Sequence, residues 1–393
     1  MTARAYLDHN ATTPLRGCAR EAMLAALEKP GNASSTHAEG RAARALLEEA
    51  RETIAGALSG PAAGVALVSG GTEALNLALT PTLTIGGRGF DALLSGAGEH
   101  PAVLSGARFA PDRAKTVALT RSGELDLAAL AAALEKLDGA RPLLALQAAN
   151  NETGVVQPVA AAAALVHAAG GALVCDAVQG AGKIPVSFSA LGADAIIVSG
   201  HKFGGPAGAA ALCFADEASH IGDVMIRGGG QERGARAGTQ NVAAVCGMAA
   251  ALVEATEGME AESVRLAGLR DGLEAEILRL DPQASIFGRE APRLANTLAF
   301  ALSGAQAQLL LMRLDVEGVA ASAGSACASG KVKASHVLAA MGVSPELAAG
   351  ALRVSLGWSS TAADCARFVA ALEGALAALR ARAERAKSMA PAR

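Results

Sequence analysis

A lysine stands in a segment whose composition could make it a nucleophile. Residues 199–206 (SGHKFGGP) place Lys202 just after an apolar run and before a glycine-rich turn. Partial burial lowers the pKa of an amine, and a neutral amine can form a Schiff base with a carbonyl compound. Because most lysines are solvated, this segment taken alone still favours an ordinary surface lysine.

An acidic residue ends the preceding apolar run. Asp176 closes the sequence ALVCD, and Gln179 follows three residues later. A carboxylate beside a pyridine nitrogen keeps that nitrogen protonated, which is what pyridoxal phosphate needs in order to accept carbanion electrons. Gln179 could then hydrogen-bond the phenolic oxygen of the ring or the lysine. The alternative role of Asp176 is to cap a helix N-terminus, which is common at strand-to-helix turns.

Residues 69–74 (SGGTEA) follow another apolar run and begin a helix. Backbone N–H groups at such a start favour a phosphate, and Thr72 adds a hydroxyl group. The segment is neither a Walker A motif nor a GxGxxG motif. By itself it is a weak signal of phosphate binding.

A histidine occupies a similar position in residues 99–103 (EHPAV). The flat imidazole of His100 could stack on an aromatic cofactor and transfer protons near neutral pH. A lone histidine is more often structural, and it is the position after a strand end that favours a functional role here.

The elements that must position these residues are typical of an α/β fold. Six short apolar runs alternate with helical stretches, and such runs indicate strands of a largely parallel sheet that is covered on both faces. The runs are residues 65–68, 91–95, 142–146, 172–176, 195–199 and 210–214. The polar residues follow the strand ends, where open α/β sheets bind ligands.

The pattern changes near Gly258. Leucines at helical spacing predict a helix that ends at Asp281–Pro282. Strands are predicted after it at residues 296–302 and 352–356, and a last helix is predicted to begin near Thr361. We therefore predict a large domain of residues 16–258 and a smaller α+β domain of residues 1–15 and 259–393. The basic tail after residue 379 favours a solvated, frayed end over a partner-docking segment.

The overall composition excludes several classes of protein. The 393 residues include 34 Lys and Arg and 37 Asp and Glu, a net charge of −3, which argues against non-specific binding to nucleic acid or to an anionic membrane. Hydrophobic residues make up 51%, which excludes a disordered chain. Residues 159–175, the most apolar stretch, are better explained by a helix and a strand than by a membrane span. The N-terminus has no apolar signal region, so we expect a cytoplasmic protein.

The six cysteines form no CxxC motif, and no His/Cys group has zinc-binding spacing, so no metal site is predicted. Most of the cysteines have apolar neighbours and should be inert core residues. Cys327 differs because it stands among small residues in residues 321–331 (ASAGSACASGK). Lys331 and Lys333 would favour its thiolate, and a mobile loop suits a nucleophile that enters and leaves a site.

Taken together, the segments resemble the fold-type I pyridoxal phosphate enzymes of the class V aminotransferase group. The resemblance becomes closer, to the NifS/IscS-like cysteine desulfurase family, in five segments, and it covers nearly the whole chain. These segments are YLDHNATTP (6–14), GNASSTH (31–37), NNETG (150–154), GGGQERGARAGT (228–239) and GSAC (324–327).

The resemblance implies a role for each matching residue. Lys202 would carry the cofactor as a Schiff base, Asp176 would pair with the pyridinium nitrogen, and His100 would stack on the ring. The remaining implied contacts are those of Asn151 and Gln179 with the phenolic oxygen region, of Gly71, Thr72, Ser199 and His201 with the phosphate, and of Arg353 and Asn151 with the substrate. Arg353 would clamp the substrate carboxylate with two hydrogen bonds. Thr239 would reach the phosphate of a neighbouring subunit, which implies a homodimer.

The implied reaction converts L-cysteine to L-alanine. Lys202, released by the substrate, would remove the Cα proton, Cys327 would take the sulfur as a persulfide, and His100 would act as an acid. The form of the Cys327 loop resembles the iron–sulfur assembly type, which implies an iron–sulfur scaffold or another thiolation protein as acceptor.

Other functions remain open at this stage. A selenocysteine lyase or a related aminotransferase would use the same Lys202 and Asp176, although a transaminase would not need Cys327. A non-catalytic sulfur carrier or scaffold-binding module is a different class, and it would bind no pyridoxal phosphate. A nucleotide-binding protein is disfavoured because neither phosphate fingerprint is present.

Overall fold

The computed structural model describes residues 4–302, 304–323 and 335–388. Cys327 and its two neighbouring lysines lie outside the described residues. The strands are β1 (Ala5–Tyr6), β2 (Val65–Val68), β3 (Leu83–Thr84), β4 (Ala92–Gly96), β5 (Ala114–Val117), β6 (Pro142–Gln147), β7 (Ala172–Asp176), β8 (Ala195–Ser199), β9 (Ala210–Phe214), β10 (His220–Ile221), β11 (Ser285–Ile286), β12 (Thr297–Ala301), β13 (Val319–Ala320), β14 (Ser322–Ala323) and β15 (Ala351–Ser355). The α-helices are α1 (Gly17–Leu27), α2 (Ala38–Ala57), α3 (Gly71–Ala78), α4 (Pro101–Leu104), α5 (Leu127–Glu135), α6 (Val159–Ala168), α7 (Phe188–Leu191), α8 (Val242–Glu257), α9 (Met259–Leu280), α10 (Ala307–Val316), α11 (His336–Ala340), α12 (Pro345–Ala348) and α13 (Ala362–Ser388).

The largest sheet has seven strands in the order β2-β9-β8-β7-β6-β4-β5. Strands β8, β7, β6, β4 and β5 are parallel, and β9 runs antiparallel to both β2 and β8. The predicted α/β fold with a mainly parallel sheet is therefore confirmed. All six predicted runs are strands of this sheet, and only β4 is displaced, by one residue.

Helices cover both faces of this sheet. Along β7, Leu173 and Cys175 belong to a hydrophobic cluster that also contains Met248 of α8. Val174 points to the opposite face, where the cluster includes Leu75 of α3. Successive side chains of a strand alternate between faces, so a strand buried on both sides must be apolar at every position. This is why the strands could be read from continuous apolar runs.

A second sheet has four antiparallel strands in the order β11-β12-β15-β14. Its cluster contains Phe300 of β12 and Phe368 of α13, together with Leu7 from the N-terminal segment. The same segment contributes β1, which pairs with β13, and Asp8, which forms a bridge with Ser355 at the end of β15. The N-terminal segment thus packs against and pairs with C-terminal elements. The exact domain limits stay a prediction.

The C-terminal tail differs from the expectation. Helix α13 continues to Ser388, so residues 380–388 are helical, and the predicted frayed end after residue 379 is wrong for this part. The segment ARAERAK lacks an apolar periodicity, but it consists of strong helix formers that extend an existing helix at little cost.

Within the described ranges, no single helix is long and apolar enough to cross a membrane. The bent pair α8 and α9 meets that test of length and composition only when the two helices are taken together.

Candidate active site

A cavity of about 310 Å³ lies at the carboxyl ends of the parallel strands, where this class of sheet binds its ligands. It brings together ten residues that the sequence predicted: Gly71, Thr72, His100, Asn151, Asp176, Gln179, Ser199, His201, Lys202 and Arg353. Thr239 is exposed and is not among the lining residues. The third predicted catalytic residue, Cys327, lies outside the described residues.

Two strand ends and one helix start meet at this cavity. Strand β7 ends at Asp176, and β8 ends at Ser199, where one tight turn of 3-10 helix carries Lys202. Helix α3 begins at Gly71 on the other side. Because parallel strands deliver their carboxyl ends to one edge, residues far apart in sequence share the site.

The Lys202 amine is held by the N-terminal segment. Its Nζ donates hydrogen bonds to the carbonyl oxygens of Asn10 at 2.7 Å and Ala11 at 2.9 Å. Asn10 is itself fixed, since its backbone N–H donates to Ser355 Oγ at 2.9 Å and its Nδ2 donates to Thr297 Oγ1 at 2.9 Å. These two carbonyl groups therefore position the amine.

Asp176 is a buried carboxylate with one short-range backbone contact. Its Oδ1 accepts a hydrogen bond from the Val178 N–H at 3.0 Å. Burial raises the pKa of Asp176 to about 6, and the positive charge of Lys202 acts in the opposite direction. A carboxyl group in this state gains from any cationic N–H that enters the cavity.

Replacing Asp176 by asparagine is expected to stabilise the ligand-free chain. The folded-state pKa of about 6 exceeds the ordinary value of 3.8, so the buried charge destabilises the fold above pH 6 and does not do so below about pH 4. We expect Asp176→Asn to raise the free energy of unfolding by about 1–3 kcal/mol at pH 8, and by clearly less at pH 5. Urea unfolding at the two pH values measures this.

The matched control is the exposed Asp112, for which Asp112→Asn should leave the free energy of unfolding unchanged at both pH values. An Asp176→Asn variant that is less stable than the parent at pH 8 would contradict the argument. Such a result would mean that the carboxylate has a stabilising partner in the fold.

The start of helix α3 offers backbone N–H groups to the cavity. A Cβ added to Gly71 would lie 2.9 Å from Val178 Cγ2, so a larger residue here would require the Val178 side chain to move. Thr72, Ser199 and His201 line the same cavity. Burial, with the charges of Lys202 and Lys183, lowers the pKa of His201 to about 4, so the imidazole is a neutral hydrogen-bonding group near pH 7. This combination suits a phosphate group.

His100 presents a defined tautomer. Its Nδ1 accepts a hydrogen bond from the Ala102 N–H at 3.1 Å and so caps helix α4. Burial lowers the pKa of His100, and the charges of Lys202 and His336 add to that effect. The neutral ring must therefore carry its proton on Nε2, which leaves an N–H donor at the cavity.

Arg353 is a buried guanidinium with spare donor capacity. It is 2% exposed, and its two terminal nitrogens donate to the Asn151 carbonyl oxygen at 2.9 Å and to Asp8 Oδ1 at 2.7 Å. Among the described residues its Nε has no hydrogen-bond partner. Arg353 also lines the cavity, and a guanidinium in that position suits an anionic ligand.

The sequence did not single out several residues of this site. Asp8 and Asn10 hold Arg353 and Lys202, and Lys183 contacts Gln179. No spacing rule finds Asp8 and Asn10, because the segment after β1 is brought to the cavity by pairing with C-terminal strands. The segment YLDHNATTP, on which the resemblance partly rests, was the available signal for the first two.

Comparison with known proteins places this geometry in a family. The class-V aminotransferase model matches residues 5–368. The IscS-like cysteine desulfurase of Mycobacterium tuberculosis is 39% identical over 387 residues, covering 96% of this chain and 97% of that protein. Cysteine desulfurase IscS of Dictyoglomus turgidum is 36% identical, with coverages of 97% and 96%.

A solved structure of a NifS-like protein from Rickettsia africae has a TM-score of 0.85 and 32% identity, and the match covers 95% of this chain and 99% of that chain. These similarities confirm the predicted fold-type I architecture and the predicted resemblance. The chain belongs to the cysteine desulfurases of the class-V aminotransferase family, whose members are pyridoxal phosphate enzymes.

Proposed function

We propose that this cysteine desulfurase binds pyridoxal phosphate in the cavity, converts L-cysteine to L-alanine, and carries the released sulfur as a persulfide on Cys327. The observation that carries the proposal is the meeting of an amine, Lys202, and a buried carboxylate, Asp176, with the N-terminus of helix α3 in one cavity. Each of these groups matches a different part of the same cofactor.

The donor set fits pyridoxal phosphate. Lys202 supplies the amine for the aldehyde, the α3 N-terminus with Thr72 and Ser199 supplies donors for the phosphate, and Asp176 supplies the partner for a protonated ring nitrogen. The buried Asp176 carboxylate, whose pKa is raised by burial, gains such a partner when the cofactor binds. When bound, pyridoxal phosphate would hold the substrate amine covalently and accept the electron pair released at Cα.

Lys202 and His100 would move the protons. The Lys202 amine, once exchanged by the substrate amine, can take the Cα proton, and the Asn10 and Ala11 carbonyl oxygens stabilise the ammonium that results. His100 carries an N–H on Nε2 because its Nδ1 is committed to the Ala102 N–H. This N–H is a hydrogen-bond donor. His100 would act as the acid on the way to L-alanine only after taking up a proton itself, because a neutral imidazole does not give up its N–H proton near pH 7.

Cys327 would take the sulfur. Its thiolate attacks the substrate sulfur, an S–S bond forms, the Cβ–S bond breaks, and Cβ and Cα are protonated to give L-alanine. Substrate and thiol together contain all the atoms of L-alanine and the persulfide, so no outside oxidant or reductant is needed. Arg353, whose guanidinium lines the cavity, would hold the substrate carboxylate during these steps.

We propose a homodimer in which Thr239 reaches the phosphate of the neighbouring cavity. Thr239 is exposed on its own chain. Its loop is anchored at two points, since the Arg236 Nε donates to Glu73 Oε1 at 3.0 Å and the buried Glu232 pairs with Arg51 at 2.7 Å. The sulfur acceptor would be an iron–sulfur scaffold or another thiolation protein in the cytoplasm.

Reconstitution tests this function. The purified protein mixed with pyridoxal phosphate should gain a visible absorption band that moves on borohydride treatment, and it should form L-alanine and protein persulfide in equal amounts from L-cysteine. A protein that takes up no cofactor, or that forms no L-alanine with the cofactor bound, would overturn the proposal. The same assay with L-selenocysteine measures the alternative lyase activity.

Replacing Arg353 by lysine is expected to weaken substrate binding more than turnover. Lysine keeps the charge but loses the planar pair of donors that a carboxylate prefers. We expect KM for L-cysteine to rise about 10- to 100-fold, with a smaller change in kcat. Steady-state kinetics separate the two parameters.

The exposed Arg279 gives the matched control, and Arg279→Lys should leave KM unchanged. If Arg353→Lys lowers kcat while KM stays at the parent value, the guanidinium does not bind the ground-state carboxylate. Thermal unfolding of each variant checks that losing the contacts of Arg353 with Asp8 and Asn151 has not disrupted the fold.

A further inference from the structure

A second lysine lies beside the cavity. Lys183 is half-buried, and its Nζ donates a hydrogen bond to Gln179 Oε1 at 2.8 Å. The two residues are four positions apart in a run of turns, in which the Lys183 N–H donates to the Gly180 carbonyl at 3.0 Å and the Ala181 N–H to the Ala177 carbonyl at 2.8 Å. Gly182, with a positive φ of 70°, turns the chain so that Lys183 reaches back to Gln179.

The other end of the Gln179 carboxamide is also fixed. Its Nε2 donates to the Asn10 carbonyl oxygen at 2.8 Å, and the same oxygen accepts from Lys202 at 2.7 Å. A carbonyl oxygen only accepts hydrogen bonds, and an ammonium group only donates them. Asn10 and Lys183 therefore require the same amide orientation, with Oε1 toward Lys183 and Nε2 toward Asn10.

This orientation decides what Gln179 offers to the cavity. Gln179 is 5% exposed and lines the cavity. The Nε2 group has two N–H bonds, and the Asn10 carbonyl uses one of them. The second remains available to an acceptor on the ligand. If the amide were reversed, an oxygen would face the Asn10 carbonyl and repel it.

We propose that Lys183 is a positioning residue of the cofactor site, which holds the Gln179 carboxamide so that it presents an N–H to the ring oxygen of pyridoxal phosphate. The inference rests on the proposed function. Without the Lys183 amine, Gln179 Oε1 becomes a buried acceptor with no partner, and the amide can rotate away from its binding orientation.

The surroundings of Lys183 agree with this role. Burial, with repulsion from Lys202 and Arg353, lowers the pKa of Lys183 to about 7. Lys183 is not among the described residues that line the cavity, so its effect on the site passes through its contact with Gln179.

A double-mutant cycle on cofactor affinity tests the proposal. The dissociation constant of pyridoxal phosphate is measured by titration of cofactor-free Lys183→Met, Gln179→Leu and the double variant. Each single variant is expected to bind about tenfold more weakly, which corresponds to about 1.4 kcal/mol. The double variant should bind no more weakly than either single variant, because Lys183 acts through Gln179.

Additive losses, or an unchanged affinity in Lys183→Met, would overturn the proposal. Lys115→Met, at an exposed lysine of β5, is the control and should bind like the parent. Should Lys183→Met be recovered unfolded, the cycle is run with Lys183→Ala, which also lacks a donor for Gln179 Oε1, and the same non-additivity is expected.

The outcomes also separate this inference from the proposed function. A parent protein that binds no pyridoxal phosphate refutes both. A parent that binds it, a Gln179→Leu variant that binds more weakly and a Lys183→Met variant that matches the parent refute only the role of Lys183.

Discussion

Lys202→Ala should abolish the formation of L-alanine from L-cysteine. The substitution removes the amine that would hold the cofactor and the base that would take the Cα proton, and no second described lysine lines the cavity. We expect kcat to fall at least about 10⁴-fold, the upper end of what a single general base contributes. A discontinuous assay of L-alanine with the cofactor in excess measures this.

The same variant should still bind pyridoxal phosphate without a covalent bond. The α3 N-terminus, Asp176 and His100 remain, so the cofactor is expected to be retained weakly and lost on dialysis, and borohydride should no longer attach it to the protein. Lys115→Ala, at an exposed position, should keep full activity. A Lys202→Ala variant that retains a tenth of the parent activity would show that another group acts as the base.

The sequence predicted the main sheet well because its strands are buried on both faces. Such strands are apolar at every position, and β6, β7 and β8 therefore stand out as continuous runs. Strand β5 was not predicted, since AKTV lies at the sheet edge and its first three residues are exposed or half-buried. Edge strands lack the burial that makes a strand visible in the sequence.

The site was predicted where polar residues directly follow a strand, and missed where only tertiary pairing brings a residue to the cavity. Asp176 and Lys202 belong to the first kind. Asp8 and Asn10 belong to the second, because a bridge between Asp8 and Ser355 places them beside Arg353. Lys183 and Gln179 are four positions apart, but nothing in the sequence alone tells that the turn between them brings their side chains into contact.

The thiols of the described part of the chain have pKa values too high for a sulfur nucleophile. In each case burial is the largest cause. It raises the pKa of Cys18 and Cys365 to about 11, that of Cys213 to about 12, and those of Cys175 and Cys246 above the ordinary value. A thiol with a pKa of about 11 is ionised to about one part in 10⁴ at pH 7. These cysteines are unsuited to attack, which supports the assignment to Cys327.

Cys327→Ala is accordingly expected to lower the rate of L-alanine formation by at least about 10³-fold, since replacing a catalytic nucleophile can cost up to about 10⁶-fold in kcat. The variant should also carry no persulfide. Cofactor binding should be unchanged, because Lys202 and Asp176 are intact. The matched control is Cys246→Ala at a half-buried thiol of α8, which should keep both L-alanine and persulfide formation. Full L-alanine production by Cys327→Ala would refute the desulfurase mechanism. It would favour a lyase that needs no thiolate at the substrate sulfur, because an aminotransferase would convert L-cysteine to a keto acid and not to L-alanine.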